Sequence, residues 1–144
     1  MSWRTTQLGD TLCDQDQFII DLFYGQRVRY IGNDTEFSTH LTCDDTADNL
    51  VLIIQESLWL SKILEICTQH LTTDVNCFYL SFNRYTVLGN DTNLVAGDMI
   101  NIISQFVRKK GFDVLKTSKI ERDLGRYFNF VQPLTWIYGT KTTN

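Results

Sequence analysis

Thr46-Ala-Asp-Asn-Leu-Val-Leu-Ile-Ile-Gln-Glu-Ser-Leu-Trp-Leu-Ser-Lys-Ile-Leu-Glu-Ile-Cys-Thr-Gln-His-Leu71 is the stretch whose reading decides the fold. Taken as one helix, it places Leu50, Ile53, Ile54, Leu60, Leu64, Cys67 and Leu71 in a stripe mostly at three- and four-residue steps. Asp48, Gln55, Lys62, Glu65 and Gln69 then fall on the opposite side, and Asp45 with Asp48 caps the start. A rival reading makes Leu50–Ile54 a buried strand and starts the helix near Ser57. The polar register holds across the whole segment, so the expectation is a single long helix.

Upstream, Asp14 and Gln17 have the three-residue spacing of a capping box and open a first helix. Phe18, Ile19, Ile20, Leu22 and Phe23 follow, and Gly25 supplies the stop. Gln26–Ile31 and Glu36–Cys43 flank Gly32-Asn33-Asp34, a composition that suits the tight turn of a hairpin.

Downstream, Asn76–Leu88 reads as a central strand, because Cys77, Phe78, Tyr79, Leu80 and Phe82 fill both faces. A helix is expected from about Leu94 to Lys110, with Val95, Met99, Ile102, Ile103 and Phe106 in step. Arg108, Lys109 and Lys110 complement its dipole, and Gly111 caps it. Phe112–Thr117 returns as a strand. Tyr127–Tyr138 is one strand or two, since Pro133 lacks a ladder donor and belongs at an edge or a bulge. The order is α-β-β-α-β-α-β-β. It implies an α+β fold in which about three helices pack on a mostly antiparallel sheet.

The chain of 144 residues fits one compact domain, and its 43% hydrophobic and 21% charged residues are ordinary globular composition. No run approaches the length of a membrane span, and the N-terminus lacks a signal-peptide pattern, so a cytoplasmic address is expected. Low Pro with abundant Asn, Thr, Asp and Ile suggests an A+T-rich microbial or viral genome. Net charge is −4, with the acids concentrated in the first half. Overall acidity argues against nonspecific nucleic-acid binding, which needs a basic face. Cys13, Cys43, Cys67 and Cys77 lack zinc-knuckle spacing, and Cys67 and Cys77 read as buried thiols. No metal and no cofactor is expected.

His40-Leu41-Thr42 and His70-Leu71-Thr72 repeat a His-x-Thr pattern. The pair resembles the two-histidine phosphoesterases. That resemblance implies a phosphodiesterase in which one His is base and the other acid, while Thr42 and Thr72 hold the phosphate oxygens. In that family each motif lies on an inner strand, whereas the pattern here sets His70 at a helix end. There a histidine complements the dipole.

Arg27 and Arg29 share one strand face, and Arg84 ends the central strand, so the three are candidates for binding a carboxylate or phosphate. Pairing with the acids of the N-terminal half is the alternative. Single-stranded nucleic-acid binding would use the aromatic strands with Arg84 and Arg126 as a stacking platform.

The residues carry no complete catalytic constellation. The functional expectation is a small non-catalytic binding or interaction protein with a protein or small-molecule partner and no membrane attachment. The edge strand implied by Pro133 also points to a homodimer through Leu134, Trp136 and Tyr138.

Overall fold

A computed structural model describes residues 14–54, 56, 58–83, 87–88, 96–118 and 134–142. In chain order the elements are α1 (Asp14–Leu22), β1 (Arg27–Ile31), α2 (Thr35–Ser38), β2 (Thr42–Cys43), β3 (Asn49–Ile54) and β4 (Leu58–Trp59). There follow α3 (Leu60–His70), β5 (Cys77–Asn83), β6 (Val87–Leu88), α4 (Ala96–Lys109), β7 (Phe112–Thr117) and β8 (Leu134–Lys141). Six strands form one mixed sheet in the order β2-β1-β3-β5-β8-β7, and β4 pairs with β6 in a separate ribbon. The fold is α+β.

The long helix of Thr46–Leu71 is replaced by a strand and a shorter helix. Five successive apolar residues, Leu50 to Ile54, cannot share one helical face, but they suit a strand covered on both sides. Leu50, Leu52 and Ile54 pack on one face of the sheet and Val51 on the other. The helix begins only at Leu60. Its buried centre is Ile63 and Cys67, with Leu60, Leu64 and Ile66 partly covered beside them.

Finding β3 also changes the character of the sheet. Hidden inside a helix, it left neighbouring strands that looked antiparallel. With β3 in place, the β1–β2, β1–β3 and β3–β5 pairs are all parallel, and α3 is the crossover from β3 to β5. The β5–β8 and β7–β8 pairs are antiparallel. The sheet is therefore mixed rather than mostly antiparallel.

The expected hairpin is absent as well. Asp34 caps α2, its carboxylate accepting from Phe37 N at 2.8 Å, and Phe37 is buried. The cap starts an extra helix, which carries the chain round to make β2 parallel to β1. The strand expected over Asn76–Leu88 divides into β5 and β6.

Trp136 and Tyr138 lie on β8, which is an interior strand between β5 and β7. Their premise as an exposed dimer edge therefore falls. Helix α1 covers that face: the Phe18 ring is 4.8 Å from Trp136, and Phe23 is 6.3 Å from Tyr138. The Leu134 side chain lies outside the described residues, as do those of Asp14 and Pro133.

The sheet thus separates two cores. On one face α3 and α4 bury Ile63, Cys67, Met99, Ile103 and Val107 against Phe78, Leu80, Phe82 and Ile137. On the other, α1 and α2 bury Ile19, Phe23 and Phe37 against Val28, Val51 and Tyr79. No described helix is long and apolar enough to cross a membrane.

Candidate functional site

Helices α3 and α4 both end at the edge of the sheet where β5 and β7 begin. Strand β8 runs the other way, so its last residues arrive at the same edge, with Thr140 opposite Cys77 and Lys141 opposite Phe112. Three chain ends meet there and leave a cleft of about 610 Å³. Its walls are Thr68, Thr72 and Thr73 from the end of α3 and the loop after it, Lys110 and Gly111 from the α4–β7 turn, and Lys141 and Thr142 from β8. Leu71 and Phe112, both buried, form the apolar floor.

Local chemistry holds these walls in place. Gly111 has φ +99°, a conformation that glycine adopts without a Cβ penalty, so α4 can turn directly into β7. Gly111 O accepts from Thr142 N at 2.8 Å and ties the end of β8 to that turn. Lys141 N donates to Asn76 O at 2.7 Å, and its ammonium donates to the Thr73 carbonyl. The Lys110 ammonium sits 5.4 Å from the centre of the Phe106 ring, in cation–π range.

Behind the Thr72 wall lies a charged cluster. The Thr72 hydroxyl donates to Asp74, and Asp74 accepts from Arg29 Nη2 at 2.9 Å. Arg29 Nη2 also donates to Ala47 O at 2.9 Å, while its buried Nε has no partner. The Thr72 hydroxyl, and after it Arg29, hold the Asp74 carboxyl below its ordinary value. Burial, aided by Arg29, lowers the value of His70.

The structure therefore gathers Arg29 and Thr72 around Asp74, with His70 within electrostatic reach of Arg29, and it places Arg27, His40 and Thr42 elsewhere. His40 is exposed in the turn between α2 and β2, with its backbone N bonded to Phe37 O at 3.0 Å. Thr42 opens β2 at the far edge of the sheet. Neither histidine stands on a strand: His70 is the last residue of α3.

Arg27 pairs with Asp44, whose carboxyl is lowered chiefly by the Thr46 hydroxyl. Arg84 and Arg126 lie outside the described residues. On β5, one of the aromatic strands, Phe78, Tyr79 and Phe82 are core residues. Among the described residues no group of three or more His, Cys, Asp or Glu side chains could hold a metal ion.

The cleft lysines and most of its threonines are absent from the sequence candidates. Lys110 was visible only as part of a basic helix end, and Lys141 and Thr142 carried no motif. Residues so far apart in the chain are joined by sheet pairing, which no local spacing records. The chain matches no known family, no curated protein and no solved structure.

Proposed function

We propose that this is a small non-catalytic binding protein whose cleft takes a small ligand bearing an acidic group. One observation carries the reading: two lysines from separate elements, Lys110 and Lys141, line a cleft with an apolar floor. Its volume of about 610 Å³ suits a small molecule. An apolar base with a few convergent charged groups is the usual composition of such sites. Ammonium groups favour carboxylate or phosphate.

The test is calorimetric titration with inorganic phosphate, citrate and glucose 6-phosphate at fixed ionic strength. At least one should bind, and Lys110→Gln should weaken that binding about tenfold, as loss of a charge-assisted hydrogen bond does. Binding of none of them, or binding indifferent to Lys110→Gln and Lys141→Gln, sinks the proposal.

For self-association, the interior position of β8 moves the proposed contact to the outer edge of β7. There Leu115 is exposed at a bulge between Val114 and Lys116. The bulge and the adjacent lysine hinder strand addition, so we rank a second copy below the small ligand.

A further inference from the structure

The hydrogen-bond inventory of the cleft narrows the ligand class, resting on the reading of the cleft as an acid-binding site. Thr68 Oγ1 lies 3.0 Å from Leu64 O. A carbonyl can only accept, so the threonine is the donor. Thr142 Oγ1 is 3.2 Å from the Asp113 carboxylate, and the Thr72 hydroxyl contacts Asp74. An ionised carboxylate also accepts only, which assigns both hydroxyl hydrogens in the same way. Each of these three hydroxyls has one hydrogen, and each is committed to a protein acceptor.

What these three hydroxyls can still offer a ligand is lone pairs. The lysines supply the opposite character. Lys141 uses one of its three N–H groups on Thr73 O, leaving others for an anion. A bare anion would satisfy the ammonium groups and leave the acceptor wall facing its oxygens. A ligand that carries O–H groups beside its acid would satisfy both.

We propose that the cleft recognises a polyhydroxylated acid, of the sugar-phosphate or sugar-acid class. The acid meets Lys110 and Lys141, while the hydroxyls donate to Thr68, Thr72 and Thr142.

The experiment titrates the intact protein by calorimetry with four probes at matched ionic strength: glucose 6-phosphate, gluconate, inorganic phosphate and glucose. Glucose 6-phosphate should bind at least tenfold tighter than inorganic phosphate, or gluconate should do so, and glucose alone should not bind. Whichever of the two polyol acids binds tighter identifies the acid. Thr68→Val and Thr142→Val should each weaken it about fivefold, the equivalent of one hydrogen bond, and weaken inorganic phosphate by less.

Thermal unfolding shows that the variants are folded, and Thr68→Val, at an exposed position, serves if Thr142→Val does not fold. If inorganic phosphate binds as tightly as both polyol acids, or the valine variants bind them as wild type does, this inference is overturned. Lysine-dependent anion binding would then still stand. Absence of binding by every anion overturns both readings.

Discussion

Replacing Gly139 with alanine tests the packing of the sheet at the strand that closes the cleft. Gly139 lies on β8 between Phe78 of β5 and Val114 of β7. An added Cβ would fall inside the envelope of the Asp113 carbonyl oxygen, and 2.7 and 2.9 Å from two carbons of the Phe78 ring. The glycine is not in the left-handed region, so the backbone itself accepts alanine. Loss of unfolded-state freedom would even favour it, by about 0.4–1 kcal/mol.

Sterics oppose that gain. The ring of Phe78 is fully buried, packed edge-on against Phe112 at 5.5 Å, and has little room to swing. The Asp113 carbonyl belongs to backbone, so β7 must retreat by about 1 Å to restore van der Waals distance. Overpacking of this kind costs about 1–3 kcal/mol, and one or two weakened ladder bonds add about 1 kcal/mol each. The net expectation is a loss of about 3 kcal/mol, a large share of a typical domain's stability.

Urea unfolding followed by circular dichroism measures it directly. Thermal unfolding should fall by roughly 10 °C for a chain of this size. Adding Phe78→Leu frees the ring but not the carbonyl, so the double variant should remain destabilised. A Gly139→Ala protein within about 0.5 kcal/mol of wild type would refute the argument.

Other expectations follow from the same structure. Ile63→Ala should cost about 2–5 kcal/mol because Ile63 is fully buried, whereas Lys62→Ala should stay within about 0.5 kcal/mol; equal losses in urea unfolding would place the buried face of α3 elsewhere. Trp136→Ala should destabilise the protein by about 2–3 kcal/mol without changing its mass by light scattering, since the ring packs on Phe18 and Tyr79; a halved mass would restore a dimer contact there.

His70 has its value lowered in the folded state, so the unfolded chain binds that proton more readily. Stability should therefore be lost as pH falls through the unfolded value of 6.5, and His70→Gln should flatten that part of the pH profile; an unchanged profile counts against the assignment. Cys43 is exposed, whereas Cys67 is buried and its thiol is pushed up to about 12. Peptide mapping after brief alkylation should find Cys43 modified well before Cys67, and the reverse order would contradict the placement of α3.

Signals carried by a few neighbouring residues were legible in the chain itself. The β7 strand from Phe112 to Thr117 and the Gly111 stop before it were readable as such, as was the alternation of Arg27 and Arg29 against Val28 and Tyr30. The same applies to α1, and to the buried character of Cys67. Each depends on local backbone preference or on side-chain period, which the sequence states directly.

The stretch from Thr46 to Leu71 was not settled in this way. Apolar residues there satisfy a helical stripe and a buried strand alike, and only pairing with β1 and β5 selects the strand. That choice then determines the parallel direction of half the sheet and makes α3 a crossover. Tertiary structure also decided that β8 is interior, because the strand that shields it, β7, is added on its far side. The cleft depends on the same long-range pairing. Its lysines come from the turn after α4 and the end of β8, and its hydroxyls from the end of α3, the loop after it and the residue after β8. Nothing in their spacing along the chain announces the meeting, because strand register and helix packing, rather than sequence proximity, bring them together.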